Sequence, residues 1–246
     1  MKADVLVAEI GSTTTLINAF CGIRSGEPKF IGQGQAPTSV LEGDVRIGLN
    51  GAIEDLKANL GADKIEYGEM LATSSAAGGL RMCVHGLVYD MTVKAAEAAA
   101  LGAGAIVTMA TAGKLSEYDI EDLKEAKPNL ILLAGGTDYG EKETALFNAR
   151  MIAASGVKAP VIYAGNVQNK RAVEDIFQKA GISCTVTENV YPKLDKLNIE
   201  PARKIIHQVF EEHIIKAPGM EHIRDMVTGH IMPTPGAVME AVQLAY

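Results

Sequence analysis

The sequence contains no tryptophan and few aromatic residues, 5% in all, although 48% of its 246 residues are hydrophobic. A buried core must therefore be built from aliphatic side chains and methionine. The chain also contains no run that approaches the ~20 apolar residues of a membrane-spanning helix. Asp4 and Glu9 lie where the core of a secretory signal would be apolar. We therefore expect neither a signal peptide nor a membrane anchor in this stretch.

Cysteine and positive charge are also scarce. The three cysteines, Cys21, Cys83 and Cys184, are far apart and form no C-x-x-C pair, which excludes a zinc ribbon. Their apolar surroundings predict reduced thiols in a core, and hence a cytoplasmic protein. The net charge of −7 and the lack of a Lys/Arg cluster argue against nucleic acid and against anionic membrane surfaces as partners.

Several catalytic motifs are absent as well. There is no G-x-x-x-x-G-K-[ST] P-loop, no H-E-x-x-H zinc motif and no G-x-S-x-G nucleophile elbow. The five histidines show no metal-ligand spacing. A D-x-H-x-x-G signature is missing too, so we do not expect the chain to bind a corrin itself. These patterns assign no catalytic residue.

What the chain does contain is an alternation of short elements. Three apolar segments predict an antiparallel meander of strands, at residues 4–10, 15–22 and 29–35. A helix is then expected to start with Asp44 as its cap and to run to about Leu60.

The middle of the chain repeats one pattern twice, at residues 130–156 and 161–181, and a further strand follows at 182–187. In each repeat an apolar strand ends in Ala-Gly, and a polar loop, an amphipathic helix and a glycine follow. Strands that alternate with helices predict a parallel sheet with right-handed crossovers. We take residues 128–190 as a parallel α/β insertion or subdomain within a lobe that spans residues 1–246.

Helix boundaries around this region are predicted from capping residues and prolines. Thr92 is expected to cap one helix, and Ser116 with Asp119 resembles a capping box. Another helix is expected from Glu200 onwards. Residues 232–236, with two prolines, are expected to form a rigid connector into a last helix.

The stretch between the first two strands, V-L-V-A-E-I-G-S-T-T-T-L-I, is the most informative part of the sequence. The N–H groups and hydroxyls of Gly11, Ser12, Thr13 and Thr14 can form a concavity that holds phosphate oxygens without a lysine. Glu9 would repel phosphate directly, but it can order the water shell of a Mg²⁺ ion between them. A plain polar hairpin, with threonines that favour β-structure, explains the same residues.

Two further glycine-rich loops are candidates for binding. Ser74 and Ser75 precede Gly78 and Gly79 after a predicted strand, and they either face a cleft or form a simple turn. The loop of residues 135–140 follows a buried strand, as in dinucleotide-binding folds, but it lacks G-x-G-x-x-G. A tight loop that needs glycine for its backbone explains it, and a contact with a partner or a small ligand is the alternative.

The segment A-E-I-G-S-T-T-T-L-I-N-A-F resembles the first phosphate loop of the superfamily of actin, sugar kinases and heat-shock ATPases. That loop follows an acidic residue, usually Asp, so Glu9 departs from the pattern and favours a water-mediated metal contact. Four more segments are similar, in order and spacing, to one family within this superfamily: A-T-S-S-A-A-G-G-L-R-M, G-L-V-Y-D-M-T, A-A-L-G-A-G-A and L-I-L-L-A-G-G-T-D-Y-G. This is the MutL/GlmL family of accessory proteins of adenosylcobalamin-dependent glutamate mutase and related aminomutases, which is unrelated to the mismatch-repair protein of similar name.

The resemblance implies an α/β fold: an RNase H-like (actin-like ATPase) lobe with a mixed sheet, plus the parallel βαβ unit. It implies an ATP-dependent chaperone or reactivating factor whose partner is a subunit of an adenosylcobalamin-dependent mutase. ATP and Mg²⁺ would be its ligands. The implied phosphate-binding residues are those of the hairpin, with Ser74 and Ser75 as further candidates, and Glu9 would serve the metal through water.

The family also has a second phosphate loop, of the type Asp-x-Gly-Gly-Ala-Thr-Thr-Asp, and no such loop occurs in this sequence. We therefore expect the N-terminal part of a longer protein, with one jaw of a two-jaw ATP site, weak ATP binding and negligible hydrolysis by itself. The missing C-terminal half would then be one of its partners. Two other classes remain open: a kinase of the same fold that acts on a sugar or acyl group, and a non-catalytic interaction module.

Overall fold

The structure is a computed structural model that describes residues 1–76, 79–215 and 219–245. The chain divides into two compact units, the first formed by residues 1–79 and 209–246 and the second by residues 80–208. All three cysteines are unpaired, as predicted. Over the described ranges, no helix combines the length and the apolar character that crossing a membrane requires.

The described residues form ten strands and seven α-helices, numbered in chain order. The strands β1 to β10 are Lys2–Ile10, Thr14–Cys21, Lys29–Pro37, Glu66–Ser74, Arg81–Gly86, Ile106–Ala112, Leu130–Leu133, Val161–Tyr163, Cys184–Val186 and Ile231–Pro233. The helices α1 to α7 are Arg46–Leu60, Lys94–Gly102, Glu117–Ala126, Glu143–Ala154, Lys170–Lys179, Glu200–Ile215 and Thr234–Ala245.

The first unit contains a five-stranded mixed sheet in the order β10-β4-β1-β2-β3. Strands β1, β2 and β3 pair antiparallel, so the predicted meander is confirmed. Strands β4 and β10 extend the sheet on the other side of β1, and all three run parallel. A hairpin meander on one side of the first strand and parallel strands on the other side form the RNase H-like lobe that the sequence predicts.

The two faces of this sheet differ in character. Helix α1 covers one face through the fully buried Leu49, Ala52 and Leu56. It approaches β3 so closely that a Cβ atom on Gly34 would lie 2.1 Å from the carbonyl oxygen of Ala52, so only glycine fits there. Val7 and Glu9, whose side chains lie on the opposite face towards the carboxyl end of β1, are only half-buried. That second face is therefore where polar functional side chains can lie.

The second unit contains a fully parallel sheet in the order β6-β5-β7-β8-β9. The predicted alternation of strands and helices is confirmed. Helices α3, α4 and α5 pack on β5, β7 and β8 around one aliphatic cluster. Counted from β5, the strand order is 2-1-3-4-5, which is that of doubly wound folds that bind ligands at the carboxyl ends of their strands. Strands β5 and β6 place the start of this unit before residue 128.

The predicted cap at Thr92 is wrong. Thr92 lies inside a single π-helical turn, Tyr89–Val93, and α2 begins only at Lys94. Its hydroxyl accepts hydrogen bonds from the N–H groups of Leu87 and Val88, at 2.8 and 3.0 Å. Thr92 therefore closes the turn that leaves β5, and α2 begins without a side-chain cap. The capping box at Ser116 and Asp119 is confirmed.

The predicted proline connector at residues 232–236 is also wrong. Ile231–Pro233 is strand β10, which pairs in parallel with β4 at the edge of the first sheet. Proline is tolerated there because an edge strand leaves alternate N–H groups unpaired. Helix α7 begins directly at Thr234, with Pro235 in its first turn, where a missing N–H costs no intrahelical hydrogen bond.

Candidate phosphate-binding site

The predicted phosphate hairpin connects β1 and β2 at the carboxyl end of β1. Strands β4 and β10 run parallel to β1, so their carboxyl ends lie at the same edge of the sheet. In open α/β sheets, ligands bind outside this edge. The hairpin is therefore placed where the fold of the first unit can present a ligand site.

Backbone hydrogen bonds determine the shape of the hairpin. The N–H of Gly11 donates to the carbonyl oxygen of Thr14 at 3.0 Å, and the N–H of Thr38 donates to that of Thr13 at 2.9 Å. A Cβ atom on Gly11 would lie 2.8 Å from the Thr14 oxygen, so a side chain here would open the turn. Glycine is therefore required by a close contact, and the N–H of Gly11 is used within the turn, so Gly11 shapes the hairpin.

The tip of the hairpin presents hydrogen-bond donors to solvent. Ser12, Thr13 and Thr14 are exposed, and within the described part of the chain the N–H groups of Ser12 and Thr13 have no acceptor. Thr15 differs from them because it is buried, and its Oγ1 lies 2.8 Å from Oγ1 of Thr38. Two unpaired N–H groups and three free hydroxyls can together surround an anion. The Thr15 hydroxyl instead links the hairpin to Thr38, at the start of the segment that leads to α1.

Glu9 is half-buried at the end of β1, on the face of the sheet that α1 does not cover. It pairs in register with Thr73 on β4, so the two side chains lie on the same face. The hydroxyl of Thr234, the first residue of α7, lies 3.3 Å from that of Thr73. The structure therefore aligns one carboxylate and two hydroxyls across the carboxyl ends of three parallel strands.

Sequence analysis missed Thr73 and Thr234. Thr73 lies in a stretch whose threonine is equally typical of an ordinary strand. Thr234 was assigned to a connector, and only the pairing of β10 with β4 brings it to the site. No local pattern identifies either residue, because each depends on a pairing between distant segments.

The structure brings Ser74 and Ser75 to the base of the hairpin. Ser74 is buried, and its hydroxyl donates to the carbonyl oxygen of Ile10 at 3.1 Å and accepts from the N–H of Ala76 at 3.1 Å. The N–H of Ser75 donates to the same Ile10 oxygen at 3.0 Å. The Ser74 hydroxyl thus ties the end of β4 to the end of β1, while the Ser75 hydroxyl has no hydrogen-bond partner among the residues that the structure describes. Gly78 lies outside the described residues.

The donor set determines which kind of metal could bind. In the parts of the chain that the structure describes, no three His, Cys, Asp or Glu side chains converge to hold an ion. Glu9 offers one carboxylate, with the Thr73 and Thr234 hydroxyls beside it. Mg²⁺ usually keeps several waters and is held by one or two carboxylates together with phosphates. These residues therefore fit a hydrated Mg²⁺ that arrives with a phosphate ligand, and they do not fit a cation held by protein groups alone.

Comparisons with known proteins give one relative and two weak structural likenesses. Protein MutL of Clostridium tetanomorphum is 45% identical over 206 residues, which cover 84% of this chain and 45% of that protein. A nucleotide-free acetone carboxylase, from a study of ATP-dependent acetone carboxylation, matches with a TM-score of 0.38 and 17% identity over 91% of this chain and 33% of its own. A glycerol dehydratase reactivase matches with a TM-score of 0.21 and 13% identity over 75% and 30%. At these scores the two likenesses carry no argument.

A match to a family covers nearly the whole chain. The profile of the family described as MutL protein matches residues 5–246, which include both units and the complete hairpin. This chain spans less than half the length of the relative from Clostridium tetanomorphum. The family predicted from the hairpin and the four further segments is confirmed: the chain belongs to the MutL protein family.

Proposed function

We propose that the hairpin of Gly11 to Thr14 binds the phosphates of ATP, with Glu9 ordering the water shell of an accompanying Mg²⁺. The observation that carries this proposal is the set of donors at the tip: two N–H groups without acceptors and three exposed hydroxyls. They lie at the carboxyl ends of three parallel strands, next to a half-buried carboxylate. Mg²⁺ supplies positive charge between that carboxylate and the phosphates when it is bound.

We infer that the full-length protein is an ATP-dependent accessory factor that reactivates an adenosylcobalamin-dependent mutase. Membership of the MutL family and the resemblance to accessory proteins of glutamate mutase support this role. The resemblance assigns a second phosphate loop to the remainder of such proteins. ATP turnover is therefore proposed for the full-length protein, and only weak ATP binding is proposed for this chain.

The proposed mechanism is a change in a conformational equilibrium. ATP bound between two phosphate loops would favour a closed arrangement of the lobes, and hydrolysis would release it. Such a change can act on a partner only if the two states bind the mutase with different affinities. The closed and open states would thus alternately hold and release a mutase that carries damaged cofactor.

A reactivation assay with the full-length protein tests this function. A mutase that carries an inactive cobalamin is incubated with the protein, Mg²⁺, ATP and fresh adenosylcobalamin, and the recovered mutase activity is measured. We expect recovery only when ATP is present, and we expect the Gly11→Val protein to lose it because a side chain at this position opens the hairpin. Gln35→Val, an exposed position on the neighbouring strand, is the control.

Two results would contradict the proposal. Recovery of mutase activity without ATP would show that reactivation does not require ATP binding at the hairpin. Rapid transfer of phosphate from ATP to a sugar or an acyl group would indicate a kinase of the same fold.

A further inference from the structure

Large apolar side chains are exposed on three neighbouring loops of the second unit. The loops follow β7, β8 and β9, which are adjacent in the parallel sheet, and all lie at its carboxyl edge. Tyr139 is 77% exposed, Leu194 71% and Leu197 60%, and Val167 lies between them on the loop after β8. We call these four residues the β7–β9 rim. Exposed apolar groups gathered on one edge mark an interaction surface more often than a scattered distribution does.

Buried amides hold the loops of the β7–β9 rim in place. The side chain of Asn166 accepts from the N–H of Tyr139 at 3.2 Å and donates to the carbonyl oxygen of Gly140 at 3.2 Å. Asn189 donates to the carbonyl oxygen of Gly136 and to Asp138 Oδ1, each at 3.0 Å. Both asparagines are almost completely buried. The rim is therefore preorganised, which lowers the entropy lost when a partner binds.

The backbone of two of these loops is strained. Tyr139 has φ +63° and Asp195 has φ +54°, in the left-handed region that favours glycine. Such a conformation is sterically unfavourable for a residue with a Cβ atom. The Tyr139 ring is mostly exposed to solvent, so burial of the ring does not offset the backbone strain. Glycine would serve the loop better, so the tyrosine side chain has to serve something outside it.

A cavity of about 330 Å³ opens between the same loops. Its carboxylates already have donors: Asp138 accepts from the N–H of Val167 at 2.9 Å, and Glu188 accepts from Asn198 Nδ2 at 2.9 Å. Lys170 and Lys196 also line the cavity, and among the described residues neither ammonium group has an acceptor. The two lysines are therefore the charged groups of this cavity that are left to pair with an anionic group of a ligand.

We propose that this edge of the second unit is a docking surface for a partner protein segment that places a carboxylate between Lys170 and Lys196 and apolar side chains against the β7–β9 rim. Charge complementarity indicates this occupant, because both carboxylates of the cavity already accept hydrogen bonds while neither lysine has an acceptor among the described residues. The rim offers apolar contact beside the two lysines. Exposed aromatic anchors next to a charged pocket are typical of protein interfaces. The binding of an acidic and apolar segment is argued from the second unit alone. That this segment belongs to the mutase rests on the proposed function.

A pair of peptides tests the chemistry. N-acetyl-Leu-Glu-Leu-amide and its glutamine counterpart are titrated into the 246-residue chain, and the amide shifts of the second unit are followed by NMR. We expect saturable shifts around Tyr139, Lys170 and Lys196 with the acidic peptide, and binding about tenfold weaker with the neutral one. Tyr139→Gly removes the ring and relieves the strained backbone. It should therefore weaken binding of the acidic peptide without lowering the melting temperature of the protein. The double variant Lys170→Gln, Lys196→Gln should also weaken binding of the acidic peptide.

Tyr118→Ser is the matched control, because Tyr118 is 78% exposed but lies on α3, away from the three loops. The proposal is overturned if the two peptides bind equally, if no saturable shift occurs up to about 10 mM, or if Tyr118→Ser weakens binding as Tyr139→Gly does. Acetate that binds as tightly as the peptide would also overturn it, since it would indicate a small-anion site.

Binding of the mutase to the same variants separates the two proposals. Loss of mutase binding with Tyr139→Gly, but not with Tyr118→Ser, supports both. A mutase that binds the two variants equally well contradicts the docking surface while the accessory function stands. A mutase that does not bind at all contradicts the function, and the peptide titration then decides the docking surface.

Discussion

Glu9 places a negative charge beside the hairpin that is proposed to receive phosphate. The Glu9 carboxylate and a phosphate bound at the hairpin would repel each other. The net charge of −7 of the protein adds to that repulsion. A divalent cation between the carboxylate and the phosphates reverses the sign of the interaction. The role assigned to Glu9 therefore makes ATP binding depend on magnesium.

Glu9→Gln tests this dependence. We expect the affinity for ATP with Mg²⁺ to fall by about tenfold, which corresponds to ~1.4 kcal/mol, because the hydrated ion loses its charged acceptor. Binding of ATP without Mg²⁺ should stay the same or improve, because a repulsive charge is removed. Isothermal calorimetry on this chain measures both values. Glu69→Gln, on the same face of β4 and four residue pairs away from Glu9, is the control. An equal loss with and without Mg²⁺ would contradict the metal role.

His85 is a titratable residue buried in the core of the second unit. It is fully buried at the end of β5, its Nδ1 lies 2.6 Å from Oγ1 of Thr111, and its Nε2 has no partner among the described residues. Burial lowers the pKa of His85 to about 4, although the negative charge of Asp119 opposes the shift. The imidazole is therefore neutral in the folded protein at neutral pH.

This shift predicts a loss of stability in acid. Between the ordinary histidine pKa of about 6.5 and the folded value of about 4, the unfolded chain binds a proton that the folded chain does not. Stability is complete above that window, and about 3 kcal/mol is lost as the pH falls through it. Urea unfolding from pH 7 to pH 4 measures the slope, and His85→Gln should flatten it relative to the wild type. Parallel slopes in the two proteins would contradict a buried neutral histidine.

The sequence predicts the role of some site residues well and that of others not at all. The hairpin is recognisable because glycine and four hydroxyl residues interrupt two apolar runs, and all of its members are neighbours in the chain. Thr73, Thr234 and the buried state of His85 are not recognisable in this way. Each depends on a strand pairing or a side-chain contact made by a distant segment.

Among the elements, Gly34 on β3 provides the closest contact between sheet and helix. A Cβ atom there would meet backbone atoms of α1, the oxygen of Ala52 at 2.1 Å and the nitrogen of Leu56 at 2.3 Å. Backbone cannot move aside as a flexible side chain can, so any substitution must displace the helix. The contact therefore fixes the position of α1 on the sheet that carries the hairpin.

Gly34→Val should lower the free energy of unfolding by about 3 kcal/mol, because it forces α1 away from the sheet and opens the core beneath it. Gln35→Val introduces the same side chain at the next residue, on the exposed face of β3, and should change stability by no more than about 0.5 kcal/mol. Chemical denaturation of both variants measures the difference. Similar values for the two would mean that α1 does not lie where the structure places it.

The elements that sequence reasoning predicts well are those with strong local signals. The strands β7 and β8 are apolar runs bounded by glycine-containing loops, and the capping box at Ser116 specifies the start of α3. Strand β10 has only three residues and ends in proline, so it resembles a connector until it pairs with β4. The π-helical turn before α2 has no sequence signature, because its formation depends on the contacts of Thr92 with the end of β5.

At the scale of the whole molecule, we propose one recognition surface at the carboxyl edge of each of the two sheets. In the first unit the edge carries small polar groups, which suit a phosphate ligand. In the second unit the edge carries exposed apolar side chains and two lysines that have no acceptor within the described ranges, which suit a protein segment. A nucleotide and a protein partner would thus bind separate units. Such a separation is what an accessory factor needs if ATP is to control its hold on another protein.

The most direct test of the account is an NMR titration of the 246-residue chain with ATP and Mg²⁺. We predict saturable changes that are largest at the amides of Ser12, Thr13 and Thr14, weaker changes when Mg²⁺ is left out, and none at the hairpin in the Gly11→Val variant. Saturation of other residues while the hairpin amides stay unchanged, or the same hairpin shifts in wild type and Gly11→Val, would show that this turn does not bind a triphosphate.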